Sequence, residues 1–191
     1  MNSKKVLLIT FFLVALVQLY VPAKMILDQE EILKTGTPFK FKTAPIDPND
    51  PFRGKYITLN YAENEVVVPK EENWLMGEPI YVSLQTDKAG FIKIKAVAKE
   101  KPANNQAFVK AKVGYVTDNG SRRLTIDYPF DRFYMEESKA YDAEQAYQQA
   151  QRDTSQVTYA LVSIKNGNAV LKDVFIGSTS ISEVVKARKL D

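Results

Sequence analysis

Residues 44–61 read Ala-Pro-Ile-Asp-Pro-Asn-Asp-Pro-Phe-Arg-Gly-Lys-Tyr-Ile-Thr-Leu-Asn-Tyr. The first half is a proline-punctuated turn. Asp47-Pro48 and Asp50-Pro51 fix φ and favour side-chain hydrogen bonds to nearby backbone. Gly54 supplies a backbone freedom that other residues lack. The second half, Tyr56 to Tyr61, is aromatic and β-branched and predicts a strand. Side chains alternate along a strand, so Tyr56, Thr58 and Asn60 share one face. Ile57, Leu59 and Tyr61 share the other.

The segment Gly54-Lys55-Tyr56-Ile57-Thr58-Leu59-Asn60-Tyr61 resembles the signature of the GDYXXLXY family of membrane-anchored proteins. Gly54, Tyr56, Leu59 and Tyr61 stand in register, whereas Lys55 replaces the family Asp. The lead-in carrying Asp47, Asp50, Phe52 and Arg53 is similar as well. So is the later block Arg132-Phe133-Tyr134-Met135-Glu136-Glu137 with its Tyr/Ala helix. The resemblance also takes in the N-terminal apolar helix and so covers most of the chain. It implies a membrane address, a fold, and association with a multi-pass membrane protein. It implies no reaction. A role that requires a carboxylate at position 55 is not expected here.

The N-terminal segment agrees with that address. Lys4 and Lys5 precede an apolar run from Val6 to Val21, broken once by Gln18. The run is about 16 residues against the roughly 17–25 that span a bilayer. Basic residues ahead of it place the N-terminus in the cytoplasm and the rest outside. A signal peptide would be cleaved after Val21-Pro22-Ala23. An uncleaved signal-anchor would continue as an amphipathic helix through Met25, Ile26, Leu27, Ile32 and Leu33, with Asp28, Glu30 and Glu31 on its polar side. The anchor is the favoured reading. The expected layout is a cytoplasmic N-terminus at 1–5, an anchor helix and its extension at 6–34, and an extracytoplasmic domain at 35–191. The bilayer contact would be made by residues 6–23.

Beyond the anchor the pattern is hairpin after hairpin. Phe39–Thr43 alternates apolar and charged residues. Pairs of strands are expected around Asp87–Gly90, around Asp118-Asn119-Gly120, and around Asn166-Gly167, the strongest turn signal. Ser138 is the expected cap of a helix ending near Arg152, with Ala140, Ala143, Tyr147 and Ala150 on one stripe. Ser180 to Val185 is read as a last strand. The expected fold is mainly β: an antiparallel sandwich or partly open barrel with one late helix.

Composition narrows the chemistry. The 191 residues carry a net charge of +3, and Lys4 and Lys5 supply two of those positives. A nearly neutral domain lacks the clustered basic face that nucleic acid requires. The chain has no Cys and no His, which removes disulfides, thiol nucleophiles, Ser-His triads and most zinc or haem sites. The eight glycines are scattered and form no phosphate loop. No cofactor or metal is expected.

The candidate binding residues are Asp47, Asp50, Arg53, Gly54, Lys55, Tyr56, Leu59, Tyr61, Arg132, Tyr134 and Glu136. The carboxylates could do acid–base work or hold a hard cation, but a proline turn needs the same residue types. Tyr56, Tyr61, Phe133 and Tyr134 could line a cleft, but strand aromatics more often pack across a sheet. A Ser-Lys hydrolase of the signal-peptidase kind would need Ser83, Ser121, Ser163 or Ser178 beside a buried lysine. The leading expectation is a non-enzymatic, membrane-anchored partner of a multi-pass membrane protein. A small-ligand-binding module is the alternative from another class.

Overall fold

The structure is a computed structural model, and it describes residues 3–45, 56–103, 106–153 and 156–188. Helix α1, Ser3–Thr35, is apolar over most of its length and exposed along nearly all of it. It is long and apolar enough to cross a membrane. At roughly 1.5 Å per residue it extends about 50 Å, more than a hydrocarbon core requires. Its last turns meet the domain. Ile32 is buried, and the Lys165 ammonium donates to Glu31 Oε1 at 2.6 Å and to Thr35 Oγ1 at 2.8 Å. The Gly36 N–H closes the helix on the Ile32 carbonyl at 2.8 Å.

Twelve strands and two further helices are described after α1. They are β1 (Thr37–Ala44), β2 (Tyr56–Thr58), β3 (Asn60–Tyr61), β4 (Glu65–Val67), β5 (Pro79–Thr86) and β6 (Ile92–Ala98). Then come β7 (Phe108–Asn119), β8 (Ser121–Asp127), β9 (Arg132–Tyr134), α2 (Glu137–Arg152), β10 (Thr158–Lys165), β11 (Asn168–Ile176), β12 (Thr179–Ser180) and α3 (Ile181–Arg188). One antiparallel sheet runs β12-β11-β10-β1-β3, a second runs β4-β8-β7-β5-β6, and β2 pairs with β9 as a separate ribbon. The two large sheets meet at Lys40 beside Phe91 and at Val109 beside Gly167, giving a nearly closed barrel. Their inward residues, among them Phe41, Ile80, Val82, Val109, Leu124 and Val162, form one core.

Local chemistry explains the elements. Asn166 and Gly167 both have positive φ, at 52° and 80°, the conformation that a two-residue hairpin demands. Gly167 also lies against Phe108, where a Cβ would come within 2.2 Å of the ring. Helix α2 buries Ala140, Ala143, Ala146, Tyr147 and Ala150. Small alanines allow close approach, and Tyr147 fills the remaining space. Under that helix lies a buried polar knot. Thr43 Oγ1 donates to Thr158 Oγ1 at 2.7 Å, and Gln151 Nε2 donates to Tyr147 Oη at 2.7 Å and to the Ala44 carbonyl at 3.0 Å.

Two local expectations change. Helix α2 begins one residue before Ser138: Glu136 stands at its N-cap with no side-chain cap bond, and the Ala140 N–H reaches the Glu136 carbonyl at 3.0 Å. Acidic residues at this end suit the helix dipole, which relieves Ser138 of the capping role. The stretch read as a last strand is instead helix α3 after a two-residue strand. Ile181 and Val185 are buried. That spacing is one helical turn, and helical period outweighs the β-branched composition. The domain therefore has two late helices.

Candidate functional site

The motif strand changes partners halfway. Tyr56, Ile57 and Thr58 pair with Tyr134, Phe133 and Arg132 of β9. The Leu59 N–H then donates to the Asp131 carbonyl at 2.7 Å. Asn60 and Tyr61 pair instead with Ala44 and Thr43 of β1, and the Ala62 N–H reaches the Lys42 carbonyl. Six residues thus stitch the ribbon to the edge of the first large sheet. Alternation holds through the change of partner: Ile57, Leu59 and Tyr61 are all buried, while Tyr56, Thr58 and Asn60 are half-buried.

The inner face ends in an aromatic cluster. Phe41, Tyr61, Tyr128 and Phe130 pack with ring centres 5.0–5.6 Å apart, mostly edge to face. Such pairs are each worth about 0.5–1.5 kcal/mol beyond area burial. Both phenols are satisfied. Tyr61 Oη donates to the Phe130 carbonyl at 2.6 Å, and Tyr128 Oη donates to the Glu63 carbonyl at 2.8 Å. Burial pushes both hydroxyls well above the ordinary phenol range. They stay protonated as donors and are poor acid–base groups.

The outer face is different. Tyr56 and Tyr134 lie directly across the ribbon with ring centres 5.4 Å apart. The Arg132 guanidinium sits 5.2 Å from the Tyr56 ring centre, a cation–π distance. A hydrogen bond with Tyr134, helped by Asp131 at 3.8 Å, pushes the Arg132 guanidinium further up. Tyr134 is 65% exposed. Glu136 pairs with Lys139 at 2.7 Å where α2 begins. The ribbon therefore presents a cation and two tyrosines to the outside, held by strand register.

The structure brings Tyr56, Arg132 and Tyr134 together, with Glu136 two residues further on. It places Leu59 and Tyr61 in the core instead. Phe133 pairs with Ile57 on the opposite face of β9 from Tyr134, so the four aromatics do not line one cleft. Asp47, Asp50, Arg53, Gly54 and Lys55 lie outside the described residues. Among the described residues no cluster of three or more His, Cys, Asp or Glu could hold a metal. Ser83 and Ser163 are buried, Ser121 is half-buried and Ser178 is exposed. No described lysine is buried, so among the described residues none of these serines has a desolvated amine beside it. Tyr128 and Phe130 escaped the reading by sequence. The run Tyr128-Pro129-Phe130 straight after a strand was the available signal.

A groove of about 550 Å³ opens between the sheets, lined by Lys110, Lys112, Asp127, Asp131 and Asn168 among others. Tyr128 reaches its wall, whereas Tyr56 and Tyr134 do not line it.

No curated protein and no solved structure matches the chain. A family model described as GDYXXLXY protein matches residues 18–174, from within α1 to β11. That span takes in the motif strand, the aromatic cluster it feeds and the ribbon partner β9, and the chain belongs to the GDYXXLXY family.

Proposed function

We propose that this chain is a single-pass, membrane-anchored protein whose domain faces away from the cytoplasm and docks, without catalysis of its own, on a multi-pass membrane protein. One observation carries the docking part: the outer face of the β2–β9 ribbon holds Arg132 against Tyr56 and Tyr134. Arg and Tyr are residue types enriched at binding hot spots. Strand pairing fixes their geometry in advance, which lowers the ordering cost of binding. Arg53 and Lys55, read from the sequence as docking residues, lie outside the described residues. The anchored part is supported by the exposed apolar helix and by Lys4 and Lys5 ahead of it.

The test is the intact mass of the full-length protein, solubilised in mild detergent from its native membrane, together with the identity of what copurifies. An intact N-terminus and a stoichiometric multi-pass partner is the expected result. A mass beginning near Lys24 with no partner would overturn the reading.

A small-ligand module is the second reading, and the groove of about 550 Å³ favours it. Charges of both signs line it, Lys110 and Lys112 with Asp127 and Asp131, and suit a zwitterionic ligand better than an apolar one. That reading requires saturable ligand binding that weakens on Lys112→Glu without loss of folding.

A further inference from the structure

Gln18 is the polar interruption of the apolar run, and its surroundings are unusual. The exposed apolar residues of α1 run from Val6 to Leu27, with the Lys24–Asp28 pair bracketing the last of them. That stretch is roughly 33 Å long, close to the ~30 Å of a hydrocarbon core. Gln18 then sits within about 3 Å of mid-depth. Even with a span ending at Ala23, it lies about 7 Å inside the edge, too deep for its short side chain to reach water. Gln18 is exposed on the helix surface, and its amide has no hydrogen-bond partner among the described residues. An unpaired primary amide in hydrocarbon is costly.

The neighbours of Gln18 form a seam. Phe11, Val14, Gln18, Val21 and Met25 alternate at spacings of three and four, the interval that keeps one helix face toward a partner. Leu7 extends it by one further step. On this spacing Phe11, Gln18 and Met25 fall at a and Val14 and Val21 at d, so the one polar residue of the seam sits at an a position, where such a residue sets register and oligomer state. At the C-terminal end of the helix charges do not oppose a pair of such helices, because Lys24–Asp28 and Lys34–Glu30 are each neutralised within their own helix, at 2.6 and 2.9 Å.

We propose that α1 pairs with α1 of a second copy of this chain, with the two Gln18 amides hydrogen-bonded across the interface inside the membrane. The second copy is the occupant because the amide is both donor and acceptor. Identical insertion also brings two Gln18 residues to the same depth without further design. The inference rests on the anchored reading of α1 but not on the docking role of the ribbon.

The absence of cysteine makes the test direct. Single variants Val14→Cys, Val21→Cys, Ile9→Cys and Leu16→Cys of the full-length protein are oxidised in native membranes with a copper oxidant. Disulfide-linked dimers are expected at positions 14 and 21, not at 9 and 16, which fall on the opposite face. Adding Gln18→Leu should cut the yield about threefold to tenfold, the range of interhelical hydrogen bonds in membranes, and Gln18→Asn should restore part of it. Leu keeps the helix apolar, so failed insertion does not confound the result. Equal yields around the helix, or yields untouched by Gln18→Leu, overturn the proposal. Cross-links at 14 and 21 only to a different polypeptide overturn the second copy and leave the proposed docking role standing. Loss of residues 1–23 from the mature protein overturns the anchored reading as well.

Discussion

Tyr61 donates its hydroxyl to the carbonyl oxygen of Phe130 at 2.6 Å, linking the last residue of the family motif to a segment 69 positions away. The two rings also pack edge to face, 5.4 Å apart. The motif tyrosine is therefore a clamp between the first sheet and the loop that leads into β9. Tyr61→Phe keeps the ring and removes the donor, leaving a buried carbonyl unpaired. A loss of about 1–3 kcal/mol is expected, read as a lower apparent Tm of the full-length protein in detergent. An unchanged Tm would show that the clamp is packing alone.

Alkaline pH tests the same core. Tyr61, Tyr128 and Tyr147 are held above the ordinary phenol value near 10, each chiefly by burial. Their folded pKa values exceed the unfolded ones, so between those values the unfolded chain binds fewer protons than the folded one. Stability from these groups is fully present below pH 10 and falls as pH rises beyond it. Tyrosinate absorbance from these three should appear only as the circular dichroism collapses. Early ionisation of all ten tyrosines, with structure intact, would contradict this packing.

Two turn glycines separate backbone strain from crowding. Gly120 and Gly167 both have positive φ, at 86° and 80°. A Cβ at Gly120 meets open space, whereas at Gly167 it would strike the Phe108 ring. Gly120→Ala should cost about 1–2 kcal/mol, the strain of a left-handed residue. Gly167→Ala should cost that plus about 1–3 kcal/mol of overpacking. Denaturant titration of the two variants gives the difference, and equal midpoints would sink the explanation.

The parts of the fold legible in sequence are those with short-range causes. Alternation from Tyr56 to Tyr61 predicted which side chains share a face, because a strand has a period of two, but not that the face with Leu59 and Tyr61 is the buried one. Asn166-Gly167 announced its hairpin because few other pairs tolerate two positive φ values. Ile181 to Val185 misled because β-branched residues favour strands, while their three-and-four spacing, the helical signal, spans little more than one turn. The partners of the motif strand were not legible. Its switch from β9 to β1 depends on contacts between residues far apart in sequence, and no local pattern encodes them. For the same reason the separation of Tyr61 in the core from Tyr56 on the ribbon, within one signature, emerged only from the fold.

Arg132 and Tyr134 give the sharpest separation of docking from folding. Both are exposed, and their contribution to stability is small: an exposed cation–π pair is worth about 0.5–1 kcal/mol. Arg132→Glu should lower the Tm slightly, as should Tyr134→Ala, and both variants should still fold and insert. If the ribbon is the docking face, recovery of the multi-pass partner in detergent should fall at least tenfold for Arg132→Glu, since a reversed charge repels where the native one attracts. Tyr134→Ala, which removes a ring but adds no repulsion, should lose less. Tyr115→Ala is the control: that tyrosine is also exposed, but it lies on β7, which does not pair with the ribbon, and should bind normally. Full partner recovery by Arg132→Glu would move the docking surface elsewhere, and equal losses in all three variants would point to a general loss of expression instead of a contact. Only the graded order Arg132→Glu, Tyr134→Ala, Tyr115→Ala assigns the interface to the face that Tyr56 shares.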